Sequence, residues 1–357
     1  MKKNINPFKL LYKLGNSDQK ALIDRFLFSI GLLPRVTKDS TNMGWLPSPY
    51  QAALVISSDF ELGWAYRFSR GQAGSLVRAQ HKAELTRRNL PVLLEMFDFY
   101  EIPVTWATIG HLFMDKCQRY DGRPHGNLPR PPYFENEYWS YRTGDWYDAD
   151  PCTDQKSAPE WYAPDLIRNI LASKVKHEIG CHTFSHIDCS DGICSPELLR
   201  AELTACKQLA NEFGLELKSF VFPGNFSGNF HVLKELGFIN YRSHIQVQLG
   251  IPLLDKVGLC VIPGGIFWEI TPGWEIIDWE LTIQHCVDLA IKKNLVLHLW
   301  FHPSCDEVNI KEIFPYILEY IKARRKNIWV VTMKELADRF LHSLPKLPPY
   351  DGVKKNT

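Results

Sequence analysis

The feature that most limits how this chain can fold is an alternation of two hydrophobic periods that starts near residue 52. Ala52 to Ser58 is a short continuous apolar run, the pattern of a strand buried on both faces, and residues 74 to 100 then repeat apolar positions at helical spacing. Pro103 to Ile109 reads as the next strand. Strand, helix, strand is a βαβ unit, and such units build parallel sheets covered by helices. The alternation continues with helices at 164 to 171 and 196 to 213, a strand at 218 to 223, a short helix at 230 to 236 stopped by Gly237, and a strand at 238 to 242. A helix at 281 to 291, a strand at 294 to 303 ended by Pro303, a helix from about 310 to 325, a strand at 328 to 333 and a helix at 334 to 340 complete it. Six or more strands in this order predict a (β/α) barrel with fewer than eight strands over residues 49 to 342, and no internal repeat is present.

Three segments break the alternation. Residues 1 to 48 form an extension in which Lys2, Lys3, Lys9 and Lys13 interleave with Phe8, Leu10, Leu11 and Leu14. It is expected to pack on the main domain; as a basic amphipathic helix it could instead touch a membrane surface. Residues 115 to 160 form a long insertion rich in Pro, Gly, Tyr and Trp, and a loop of that length in a compact domain is usually functional or mobile. Its aromatic faces suit either stacking on sugar rings or packing the loop down. Residues 343 to 357 read as a tail.

Charge and cysteines narrow the partners. Among 357 residues, 41 Lys and Arg face 40 Asp and Glu, so no global field attracts nucleic acid. The nine cysteines are odd in number and contain no CxxC pair, which argues against a disulfide framework and for a reducing cytoplasm. No apolar run reaches the roughly 18 residues of a membrane span, and the N-terminus lacks a cleavable leader. The expectation is therefore a cytoplasmic protein without an integral membrane segment, in peripheral contact with the inner face of the membrane at most.

The chemistry concentrates at strand ends. His182 and His186 stand four residues apart, a spacing that puts both imidazoles on one face if the segment makes a helical turn. Asp59 and Glu61 stand two apart where the first strand ends, so both can reach one pocket. Two histidines and one carboxylate, with positions left for water, form the ligand set of a hydrolytic metal site. His298, Trp300 and His302 share one face of a later strand by period two. Asn225 and Asn229 are turn residues, with Asn225 also a candidate substrate contact, while Cys181 and Cys189 read as small buried residues.

The order Asp59-x-Glu61, His182-x-x-x-His186, Pro223-Gly224-Asn225 and Trp300-Phe301-His302-Pro303 resembles the polysaccharide deacetylases, also called the NodB-homology or carbohydrate esterase family four group. The resemblance spans roughly residues 50 to 340, and the wording Asp59-Phe60-Glu61-Leu62-Gly63-Trp64 is similar to the branch met in cell-surface polysaccharide gene clusters. It implies a distorted (β/α) barrel and metal-dependent removal of N-acetyl or related acyl groups from an amino sugar of a glycan or its precursor. It also implies roles: Asp59 as general base, Glu61 with His182 and His186 as metal ligands, and His302 as the acid. Because the commoner pair is two adjacent aspartates, Asp59 in place of Glu61 as ligand stays open. Trp64, Asn225 and Trp300 are the expected substrate contacts. Family members usually carry an arginine in the third motif, where this chain has Phe222-Pro223-Gly224-Asn225; Arg242 and Arg70 are the candidates to stand in.

An amide is a poor electrophile and water a poor nucleophile, and one divalent ion addresses both. Zinc suits two imidazoles and a carboxylate, and Mn, Co or Ni fit the same set. A backbone amide near Phe184 is the expected partner of the oxyanion. Two other readings use the same scaffold: a deformylase or non-sugar amide hydrolase, and a glycan-binding protein with little turnover.

Overall fold

The computed structural model describes residues 17–29, 32–36, 43–70, 75–270 and 274–344. Its main sheet has ten strands: β1 Ala52–Phe60, β2 Thr105–Thr108, β3 Glu178–Cys181, β4 Ser219–Phe220, β5 Asn240–Arg242, β6 Leu253–Leu254, β7 Cys260–Ile262, β8 Ile266–Phe267, β9 Val296–Phe301 and β10 Ile328–Val331. The helices are α1 Ser17–Ser29, α2 Ser75–Tyr100, α3 Pro164–Leu171, α4 Pro196–Glu212, α5 Phe230–Glu235, α6 Ile276–Lys293, α7 Phe314–Lys322 and α8 Met333–Ser343. The sheet runs β6-β7-β5-β4-β3-β2-β1-β9-β8, and β10 pairs with the first half of β1 beside β2. Every pairing is parallel except β6 with β7. The path curls without its two ends pairing among the described residues, so the architecture is a distorted, open (β/α) barrel. Ten strands exceed the fewer than eight expected, because β3 and the short β6, β7 and β8, two to four residues each and too short to show a period, add to the six runs read from the sequence.

β1 is buried along its whole length, and its two faces do different work. Ala52, Leu54, Ile56 and Phe60 face the core under the helices, whereas Ala53 and Val55 face the barrel interior with Val221, Cys260, Ile262 and Val296. Helix α8 plugs that interior from below through Met333, Leu336, Ala337 and Phe340. Its first turn is fixed by a reciprocal cap, in which the Thr332 hydroxyl accepts from the Glu335 amide while Glu335 accepts from the Thr332 amide, an arrangement worth about 1 kcal/mol. Continuing up the interior face by period two, the row turns polar at Ser57 and Asp59 and ends on Glu61 past the strand. The apolar bottom and polar top are thus written into one strand.

The flanking segments follow the expectations unevenly. In the extension, α1 packs on the start of α6 through an edge-on contact between the Phe28 and Trp274 rings and an Arg25–Asp278 ion pair, and Arg35–Val36 pairs with Gln248–Leu249. The basic stretch from Lys2 to Leu14 and residues 345 to 357 lie outside the described residues. The cysteine reading needs correction: Cys117 and Cys152 form a disulfide within the insertion, with Cα atoms 4.9 Å apart, while the other seven cysteines are free and buried. Two cysteines 35 residues apart meet only because the insertion folds back on itself, which no spacing rule reveals. Among the described residues no helix is long and apolar enough to cross a membrane.

Candidate active site

The C-terminal ends of β1, β3, β5 and β9 surround a cleft of about 580 Å³ lined by Asp59, Glu61, His186, Asn225, Trp300 and His302, with Tyr138 and Trp139 reaching in from the insertion. At its floor, Glu61 Oε1 lies 3.1 Å from His182 Nε2 and 3.1 Å from His186 Nε2. The loop holding the two histidines is not a helical turn. Thr183 and His186 have φ of 61° and 58°, and these left-handed residues fold the segment so that both rings converge. Glu202 of α4 stabilises that fold: its carboxylate accepts from the amides of Phe184 and Ser185 and from the Ser185 hydroxyl. The Phe184 amide is therefore already committed and does not face the cleft as an oxyanion partner. Arg67, buried on the Trp146 ring, donates to the Ser185 carbonyl and completes the support.

His182 Nδ1 lies 2.8 Å from the Val221 carbonyl, which can only accept, so Nδ1 carries a hydrogen and Nε2 is the nitrogen turned to Glu61. Burial holds His186 down to about 4, so it is neutral near pH 7. Burial raises Glu61, but its contacts with His186, His302 and His182 outweigh this and hold it well below the usual carboxylate range. One carboxylate oxygen and two imidazole nitrogens converge at hydrogen-bond distance, a donor set that fits a divalent metal.

Asp59 stands beside this group in a different state. Arg242 on β5 binds it in a two-pronged pair, with both N–O distances 2.7 Å, and also donates to Ser57. Burial raises Asp59, and Arg242 and His182 outweigh burial, so it stays ionised. Arg242 stacks on Trp300 and touches Asn225. Arg70, the other candidate, pairs with Glu135 at the rim. Just past β9, the strand paired with β1, His302 Nδ1 lies 3.0 Å from Glu269, whose oxygen also accepts from the His302 amide. Burial would lower His302, but Glu61 and the bonded Glu269 raise it to about 9. Its Nε2 therefore carries a proton and faces the cleft, 4.0 Å from Glu61.

The cleft thus gathers Asp59, Glu61, His182, His186, His302, Asn225 and Trp300. Trp64 is corrected: it is buried, donates to the Trp161 carbonyl and packs edge-on against Trp161, away from the cleft. The helix-free segment after Glu61 turns it inward, whereas a surface aromatic would have been free to stack. His298 bonds Ser57 and the Pro263 carbonyl below the cleft, as a satisfied core histidine does. Glu202, Glu269 and Trp139 were not singled out from sequence. Glu269 lies in a Gly- and Trp-rich stretch with no regular period, and only the broad aromatic content of the insertion hinted at Trp139, whose ring lies 4.9 Å from His186.

No family sequence model and no curated protein matches the chain. Solved structures do match. The fold is similar to proteins described as candidate polysaccharide deacetylases from Mycobacterium smegmatis (TM-score 0.56, 14% identity, covering 87% of this chain and 98% of that one) and from Pseudomonas aeruginosa PAO1 (TM-score 0.60, 13% identity, 87% and 97%). It is similar also to the Puue allantoinase (TM-score 0.59, 13% identity, 87% and 96%). With the open barrel and the likeness running over nearly the full length of each neighbour, the chain has the NodB-homology fold of the polysaccharide deacetylases.

Proposed function

We propose that this protein removes an N-acetyl, or related acyl, group from an amino sugar of a cell-surface polysaccharide or its precursor. The observation that carries the reading is the grouping in one cleft of a Glu61 oxygen 3.1 Å from two imidazole nitrogens, an ionised Asp59 held by Arg242, and beside them His302 held protonated by Glu61 and Glu269. Glu61, His182 and His186 would hold one divalent ion, zinc by its preference for this donor set, and when bound it supplies Lewis acidity toward water and the acyl carbonyl. Asp59 takes the proton of the attacking water, because the Arg242 pair keeps it ionised where it lines the cleft beside Glu61. The amine leaves only when protonated. His302 gives that proton from Nε2, oriented by Glu269 at Nδ1, and stands beside Asp59 and Glu61 in the same group of side chains. Trp139, Tyr138 and Trp300 offer ring faces to a sugar, and Asn225 an amide.

Acetate release from N-acetyl amino-sugar oligomers by the zinc-loaded protein is the direct test. Release that stops in Asp59→Asn with zinc still bound supports the reading, and no release from any N-acylated sugar by protein of full metal content overturns it. The likeness to an allantoinase favours one second reading, hydrolysis of a non-sugar amide on the same groups, and release of product from allantoin instead of the sugars would select it.

A further inference from the structure

A second cluster of metal-capable side chains is buried behind the cleft, in the insertion. His111 follows β2, and Cys117, His125 and Asp150 come from the loop beyond it. His111 Nε2 lies 3.1 Å from His125 Nε2 and 3.1 Å from Asp150 Oδ2; His125 Nε2 lies 2.8 Å from Asp150 Oδ2 and 3.5 Å from Cys117 Sγ. Nitrogen and oxygen donors around a tetrahedral zinc at its usual bond lengths stand about 3.3 Å apart, with sulfur slightly farther, so these atoms already outline such a polyhedron.

The surrounding groups point the donors inward. His111 Nδ1 lies 3.0 Å from the Trp161 carbonyl, which accepts its hydrogen and turns Nε2 toward the cluster. Asp150 Oδ1 accepts from the Tyr162 hydroxyl and the Cys152 amide, each at 2.8 Å, leaving Oδ2 for the cluster. Rings of Trp64, Phe184, Tyr147 and Tyr162 close over the two histidines and leave no position open to substrate, as in a structural site.

We infer that His111, His125, Asp150 and Cys117 in its reduced form hold a second, structural divalent ion of zinc type, which pins the insertion carrying Trp139 against the barrel. Cys117 is bridged to Cys152, so the ligand forms when that bridge opens. A trialkylphosphine supplies the two electrons: with one water it becomes the phosphine oxide and the disulfide becomes two thiols. Cys117 then gives its proton to buffer and binds as thiolate, and the zinc changes no oxidation state.

The test is metal stoichiometry of the full chain, reduced with a phosphine, loaded with zinc and dialysed. About two equivalents are expected; Asp150→Asn and His125→Ala should each keep about one, and His182→Ala/His186→Ala should keep the other. The cobalt-loaded wild type should show a sulfur-to-cobalt charge-transfer band in the near ultraviolet that Cys117→Ser loses. The wild-type count and spectrum need no variant to fold. A single equivalent lost entirely in the double histidine variant overturns the inference, as does cobalt-loaded wild type without the thiolate band. A single equivalent that survives in the double histidine variant and disappears in Asp150→Asn upholds this site while counting against the cleft metal.

Discussion

The two buried histidine–carboxylate clusters are built from the same parts and placed differently. At the cleft, Glu61, His182 and His186 face an opening bordered by Asp59 and His302. In the insertion, His111, His125 and Asp150 are sealed under aromatic rings, with a cysteine in place of the opening. The difference teaches that donor identity does not separate a reactive site from a structural one; what separates them is whether a position is left free and whether acid and base groups border it. Trp64 lies between the two clusters, three residues after Glu61 and with its ring 4.4 Å from that of His111.

The largest effect should come from removing the open cluster's ligands. His182→Ala/His186→Ala is expected to bring acetate release to background, whereas His125→Ala should leave the chemistry in place and lower the unfolding midpoint instead, as read by assay and thermal melt side by side. Equal loss of turnover in both would erase the distinction between the sites.

Next come the groups that border the opening. Asp59→Asn and His302→Ala should each cost about 100- to 10,000-fold in turnover of N-acetyl sugars while leaving metal content intact. On an activated aryl ester, whose leaving group needs no proton, His302→Ala should matter far less; matching losses on both substrates would make His302 structural. If Asp59→Asn emptied the metal site, the roles of Asp59 and Glu61 would be exchanged.

A smaller effect should appear in the pH profile. His302 must be protonated to act and is raised above an ordinary histidine, to about 9, by Glu61 and Glu269, so activity should fall as pH rises, at a value below that one when metal is bound at Glu61. Metal on Glu61 would neutralise the first of these charges, which leaves Glu269 as the remaining support. Glu269→Gln should move the alkaline limb to lower pH and cost less than about tenfold at neutral pH, and an unmoved limb would separate Glu269 from the acid.

The smallest catalytic effect is expected at Trp64. Trp64→Phe loses the bond to the Trp161 carbonyl, so denaturant unfolding should show a loss of about 1–3 kcal/mol with KM for the sugar unchanged. A raised KM at undiminished stability would return Trp64 to the substrate.

The barrel and the open site were legible in the chain because both rest on short-range rules. The burial of β1 follows from a continuous apolar run, and the placement of Asp59 and Glu61 above Ala53, Val55 and Ser57 follows from period two. His182 and His186 were legible as a pair, although the helical turn imagined for them is a loop held by Glu202. Strands expected at 218 to 223 and 238 to 242 are β4 and β5, whereas β3 and the two- or three-residue β6, β7 and β8 were not read individually, since so few residues carry no period and their pairing depends on neighbours.

What the sequence by itself determined, then, is the alternation, the polar end of β1 and the order of the chemical groups along the chain, because each is set by backbone geometry over a few residues. Only the tertiary structure decided which charges meet. Arg242 reaches Asp59 across 183 positions, Glu269 holds His302 across 33, and His111, Cys117, His125 and Asp150 converge inside a loop without regular spacing. Such contacts depend on where barrel closure and the folded insertion bring side chains to hydrogen-bond distance, and no local period encodes that distance.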